Sequence, residues 1–341
     1  MRALGTAKPA AGRTILLGAL ISFVFICAGS SLGSSSIGLL DTARIILGQT
    51  QGISGRDIAI VRQLRLPRTL LAFLAGGALG TGGAVFQSVL KNQLASPYIM
   101  GLSSGASLGA ALVILCGLRL PLLGAFTLPA AGFGAGLLTV LLALALSARL
   151  DRSMSNNTVI LLGMVISLFV NALLTVLMAL FREELKTLIL WQMGSFAFKS
   201  WSSVALILPF LILGGLGLGR LCRELDLISF GEEEAQAAGL AIRRTRILLF
   251  LFASLLAGSA VALCGAVGFV DLIAPHVSRR IGGPSHRSAL PLSFFTGGCL
   301  MIAADLAART IISPAELPVG AVTALIGAPF FAWIYFRGGR R

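Results

Sequence analysis

The sequence predicts an all-α, polytopic membrane fold with about ten transmembrane helices, and three observations carry that expectation. Of the 341 residues, 56% are hydrophobic and only 12% are charged. The apolar residues gather in runs of about 18 to 25, the length that crosses a bilayer as a helix. The 27 Lys and Arg residues, against 13 acids, fall mostly in the short stretches between those runs. A backbone in lipid has to satisfy its own hydrogen bonds, which leaves helices as the spanning element. The formal charge of +14 sits in loops without aromatic interleaving, so it sets orientation and does not point to nucleic acid. Cys27, Cys116, Cys222, Cys264 and Cys299 show no metal-ligand spacing and read as small packing residues. The chain forms a single transmembrane domain over 1–341.

In chain order, 1–13 is a basic tail with Arg2, Lys8 and Arg13, and the apolar run from 14 to about 32 reads as a retained first helix, not a cleaved leader. Residues 34–64, with Ser34 to Ser36 and Gly52 to Gly55, are polar enough to leave the membrane and carry a short surface helix. Spans follow at about 67–90, 99–117, 122–148, 157–181 and 203–221, then a charged connection at about 222–244. Beyond it come 245–263, a short segment near 265–278, and spans at about 289–309 and 318–336. The short one, GAVGFVDLIAPH, contains Asp271 and ends in Pro275, which does not continue a helix in ordinary fashion, so a re-entrant segment is its rival reading.

Ten spans put both termini on one side, and loop charge makes that side cytoplasmic. It holds Lys91, Arg149, Arg152, Arg220, Arg223, Arg243, Arg244, Arg246, Arg279, Arg280, Arg287, Arg337, Arg340 and Arg341. Arg44, Arg56, Arg62, Arg65 and Arg68 break the rule, since they fall in or beside the first external segment. They are either solvated loop charge or a docking surface for something acidic.

Small residues recur every four positions at Gly76, Gly80 and Ala84, and again at Gly101, Gly105 and Gly109, a spacing that lets helix backbones approach closely. Polar atoms collect where the second span turns into the third (Asn92, Gln93, Ser96, Ser103, Ser104) and where the fifth begins (Ser153, Ser155, Asn156, Asn157, Thr158). Both groups are cytoplasmic in this topology and could gate the inner end of a pathway, although helix caps use the same residue types. The segment SFGEEEAQAAGLAIRRTR at 229–246 reads as a short amphipathic helix broken at Gly239, with acid at its start and base after its end. Such an element offers a handle to a soluble partner. Asp305 and Arg309 are spaced for an intrahelical ion pair, while Asp271 has no evident local partner. There is no G-x-x-x-x-G-K-[ST] phosphate loop and no H-E-x-x-H, so the chain does not read as an enzyme. Composition alone leaves an ion-gradient-driven secondary transporter or channel as the alternative class.

The motifs resemble the FecCD family, the permease half of bacterial ATP-binding-cassette importers for iron-siderophores, haem and vitamin B12. They are RLPR at 65–68, NQLASP at 92–97, GLSSGASLG at 101–109, the Trp191, Gly194 and Trp201 pattern, AAGL at 237–240, GFVDLIAPHVSRRIGGPSHR at 268–287, ADLAAR at 304–309 and ELPVGAVTALIGAPFF at 316–331. The resemblance implies the fold of the vitamin B12 importer permease, a type II ABC importer in the bacterial cytoplasmic (inner) membrane. It implies a homodimer embedded in membrane lipid, two cytoplasmic ATPase subunits that use ATP and Mg, and a periplasmic or lipid-anchored binding protein. This chain itself is expected to bind no cofactor or metal. The resemblance matches Arg65, Arg68 and Arg309 to positions that face acidic groups on the binding protein. It places Asn92, Gln93, Leu94, Ser96, Pro97, Ser155, Asn156 and Asn157 at a cytoplasmic gate. Glu232, Glu233, Glu234, Ala235, Ala238, Gly239 and Leu240 fall in the segment that seats in the ATPase. Gln93 stands where the family's NPLA has proline, and Asp271 where a glycine is usual.

Overall fold

The computed structural model describes residues 8–33, 37–118, 120–121, 123–151, 153–181 and 183–338. Arg2, Ser34 to Ser36, Arg152, Arg340 and Arg341 lie outside the described residues. Helix α1 (Lys8–Ser31) is followed by short α2 (Leu39–Ile46) and α3 (Gly55–Ala59). The sequence separates this surface segment from the second span, but α3 runs through a wide turn at Ile60–Arg65 straight into α4 (Leu66–Val89). The result is one 35-residue rod, Gly55–Val89. Pro67 is tolerated because it lies at the start of α4 and lacks only an N–H that the widened π turn before it need not pair.

Next in order come α5 (Leu102–Cys116), α6 (Thr127–Leu150), α7 (Asn156–Leu180), α8 (Leu185–Gln192) and α9 (Trp201–Arg220). The expected charged connection forms α10 (Cys222–Phe230) and α11 (Glu232–Ala237), and α12 (Ile242–Cys264), α13 (Val270–Gly282), α14 (His286–Thr310) and α15 (Val319–Gly338) complete the bundle. Among the described residues, seven helices are long and apolar enough to cross a membrane, while α5, α13 and the Val319–Ala332 part of α15 fall short of that length. The expected count of ten is therefore loose: three of its members are part-length helices.

The core is built on α4, whose most apolar stretch is 89% buried, whereas α1, α7 and α9 are only 22–28% buried and turn apolar faces outward. Without a hydrophobic force between helices in lipid, close packing has to come from small residues. A Cβ at Gly76 would overlap the Gly297 carbonyl of α14, and one at Gly80 the Ser293 carbonyl. Gly105 and Gly109 do the same work between α5 and α6, facing Ala135 and Ala131. Gly101 does not belong to that stripe. It precedes α5 with φ +82°, a left-handed turn, and its carbonyl accepts from Thr139 Oγ1 at 2.8 Å. Since Thr139 lies at the middle of α6, the connection 92–101 folds back into the bundle and α5 begins halfway through it.

The eighth apolar segment is corrected in the same way. Its helix starts at Val270, not near 265, and continues through Pro275 to Gly282. Pro275 has no N–H for the Asp271 carbonyl, and Gln87 Nε2 of α4 approaches that oxygen and the Leu272 carbonyl instead, at 3.4 Å each. Gly83 makes the approach feasible, because a Cβ there would overlap the Asp271 backbone.

Candidate translocation pathway and its two ends

Residues 91–94 are exposed, whereas 95–97 are buried, so the expected gate segment runs from the surface into the interior. Asn92 caps its own turn, its Oδ1 accepting from the Leu94 N–H at 2.9 Å. Ser96 Oγ accepts from the Tyr98 N–H at 3.2 Å and donates to Asp271 Oδ2, while Tyr98 donates its hydroxyl proton to the Val267 carbonyl at 2.9 Å. Asp271, only 1% exposed, thus has a partner that its sequence neighbours did not reveal. The 96–98 turn is fastened at two points to the approach and first turn of α13. On the other side Gly163 of α7 packs against the Ile99 carbonyl. Gln93 and Asn157 are exposed, and neither has a side-chain hydrogen bond among the described residues.

At one end of the bundle, the outer end in the expected topology, the arginines marked for docking are turned inward. Arg68 spans two acids: Nη2 and Nε reach Asp305 Oδ1 at 2.8 and 3.1 Å, and Nη1 and Nη2 reach Glu316 at 2.7 and 2.9 Å. Its side chain is 14% exposed and that of Asp305 only 2%. Asp305 does face Arg309, at 3.5 Å, but the pair expected within α14 is the weaker of its two contacts. Arg65, buried, donates to the Ser31 carbonyl at 2.5 Å, and Arg309 donates to the carbonyls of Leu32, at 3.0 Å, and Gly29. The physical reason is the C-terminus of α1, whose last carbonyls lack helical partners and carry the negative end of the dipole. Among the described residues, the exposed arginines of this end are Arg44, Arg56 and Arg62. Glu316, in the loop before α15, has its carboxyl drawn below the usual range by the Arg68 hydrogen bonds.

At the opposite end, Arg246 of α12 has a fully buried side chain whose two terminal nitrogens are held by acceptors. It meets Glu232 Oε1 at 2.5 Å, the Met154 carbonyl at 2.7 Å and Asn156 Oδ1 at 3.1 Å. The sequence counted it only as loop charge. Asn156 Nδ2 in turn donates to the Leu90 carbonyl at the end of α4, at 3.1 Å. Asp151 organises the adjoining 151–155 turn. It accepts from the Ser153 hydroxyl at 2.6 Å and the Ser155 N–H at 2.8 Å, and these bonds hold its carboxyl well below the usual range. Glu233, Glu234, Ala238 and Gly239 are exposed, while Ala235 is buried beneath them and Leu240 is half-buried. The helix breaks as expected, with Gly239 at φ +79°. Sequence reasoning also passed over Asn171, an exposed amide near the middle of the otherwise apolar α7. Its signal was available, since a lone Asn inside a spanning run is costly unless it meets water or a partner.

A helical bundle with a polar fold-back at its centre, arginine fasteners at one end and a short helical pair at the other suits a membrane transport permease. The chain belongs to the FecCD transport family, which matches residues 20–337. It is 42% identical over 325 residues to the uncharacterized ABC transporter permease protein YvrB of Bacillus subtilis, covering 93% of this chain and 92% of that one. It is 36% identical to the hemin transport system permease protein HmuU of Yersinia pestis, covering 95% and 96%. A solved inward-facing conformation of a metal-chelate type ABC transporter superposes with a TM-score of 0.83 at 30% identity, covering 96% of this chain and 99% of that one. The chain is thus the permease subunit of an ABC importer.

Proposed function

We propose that the chain moves a metal chelate of the iron-siderophore, haem or cobalamin class inward by alternating access, as one half of a homodimer. The observation that carries the proposal is the 92–101 fold-back pinned between α13 and α7, a short polar closure in the middle of the bundle. Asn171 supports a pathway along α7: an exposed amide there suits a water-filled route between two copies better than a lipid-facing surface. Both termini lie on the cytoplasmic side, and ATP is hydrolysed in two separate subunits seated on α10 and α11. Cargo arrives on a binding protein that docks at the outer end. There Arg44, Arg56 and Arg62 supply accessible charge, and Arg65, Arg68 and Arg309 hold the surface that carries it. Charge-assisted contacts to carboxylates suit such a face.

The test is uptake into proteoliposomes holding the permease, its ATPase subunits and ATP, with the cognate binding protein loaded in turn with a ferric siderophore, haem or cobalamin. Uptake of one of them that requires all three components supports the reading. Uptake driven by an ion gradient without the ATPase overturns it in favour of a secondary transporter.

A further inference from the structure

Two chains of polar contacts leave the α10–α11 pair and end on the same turn of α4. The first starts in α10. Asp226 Oδ1 accepts from the His286 backbone N–H at 2.9 Å and lies 2.5 Å from His286 Nδ1, while His286 Nε2 lies 2.6 Å from Ser88 Oγ. With Asp226 ionised, the Nδ1–H donates to the carboxylate, Nε2 is the acceptor, and the Ser88 hydroxyl donates to it. The second starts in α11 and runs from Glu232 through Arg246 and Asn156 to the Leu90 carbonyl. The two arms approach α4 through different helices, α14 and α12 with the start of α7, yet their end points are Ser88 and Leu90. That turn leads directly into 92–97.

From this convergence we infer that the last turn of α4 is the point at which movement of the α10–α11 pair is delivered to the central gate, with Ser88, His286, Asp226, Glu232, Arg246 and Asn156 as positioning residues. Three features make the linkage stiff enough for that role. His286 and Arg246 are 3% and 0% exposed, so neither exchanges its partners for water as the pair moves. The Asp226 and Glu232 contacts are charge-assisted and short. Gln87, next to Ser88 in the same turn, accepts from Arg279 and donates toward the α13 backbone, so a shift of this turn is passed to α13 as well as to 92–97. The inference rests on the proposed seating of the ATPase on α10 and α11.

The experiment uses the full complex in proteoliposomes and reads chelate uptake per ATP hydrolysed for Ser88→Ala, Asn156→Ala and the double variant. A Gln236→Cys permease, cross-linked to the ATPase subunit, reports seating independently. Each single variant breaks its arm and is expected to lower uptake per ATP about three- to tenfold, the order that losing one hydrogen bond (Ser88→Ala) or two (Asn156→Ala) of ordinary net worth produces. The double variant should fall further, with the amount of assembled complex and the cross-link unchanged. A cross-link with an unchanged uptake-to-ATP ratio in the double variant overturns the transmission role alone. Loss of assembled complex with the ratio preserved assigns these bonds to stability and also overturns it. No cross-link in the Gln236→Cys permease overturns the seating on which the inference depends.

Discussion

The two ends of the bundle use arginine in opposite ways. At the outer end Arg65, Arg68 and Arg309 bind groups within the wall of the bundle: the last carbonyls of α1, Asp305 of α14 and Glu316 just before α15. At the opposite end Arg246 joins the wall to the short helix α11, through Glu232. One set locks the long helices to one another; the other ties the bundle to the short helices α10 and α11. The contrast separates residues that hold a shape from residues placed to transmit a change of shape.

The strongest way to break that comparison is to remove one member of an ion pair at each end. Arg68→Ala leaves Asp305 buried without its main partner and should cost about 3–5 kcal/mol, read as a large fall in the detergent unfolding temperature. Glu232→Ala should cost less, about 1–3 kcal/mol, because Glu232 is over a third exposed and Arg246, although fully buried, keeps its carbonyl and amide acceptors. Equal losses at the two ends would erase the distinction. Next in size is the packing that lets the outer fasteners meet. Gly76→Val forces α4 away from α14 and should cost about 1–3 kcal/mol, seen in the same unfolding measurement.

A smaller effect sharpens the outer end by pH. The folded-state pKa of Glu316 is depressed, so its contribution is fully present above the ordinary glutamate value and is lost as pH falls through the lower folded value. Glu316 is partly exposed, which keeps the contribution below about 1 kcal/mol. Glu316→Gln should therefore remove a shallow acid-side loss in unfolding temperature that the parent protein shows, and an identical pH profile in both would remove Arg68–Glu316 from the account. Smallest is the accessible charge. Arg56→Glu with Arg62→Glu should weaken binding-protein association by less than about tenfold and make the remainder less salt-sensitive, measurable by surface binding at two ionic strengths.

Much of this was legible from residues alone, and the exceptions share a cause. The apolar runs placed nearly every long helix, and the four-residue glycine spacing found the α4–α14 and α5–α6 contacts, because both signals are local. Gly101 was misread as part of a stripe, since spacing does not tell a helical glycine from one at a left-handed turn. The roles of Arg246, Asp271 and Arg68 escaped because their partners lie far along the chain: Arg246 meets Asn156, Asp271 meets Ser96, and Arg68 meets Asp305. A loop arginine and a buried one look alike until the acceptors are brought to it. How deep the 92–97 segment reaches was hidden for the same reason. Polar residues after a span signal its end, but not that 95–101 turns back into the interior.

The fastening of Arg68 also sets an order of assembly. Arg65, Arg246 and Arg309 find their carbonyl or amide partners in chain that has already been made, at Ser31, Met154 and Asn156, and Leu32. Arg68 alone of these must wait, because Asp305 lies 237 residues downstream and Glu316 lies 248 downstream. During synthesis its guanidinium stays without either acid until almost the last helix has entered the membrane. Completion of the outer end is thus a late event in biogenesis, and it registers that the whole chain has arrived.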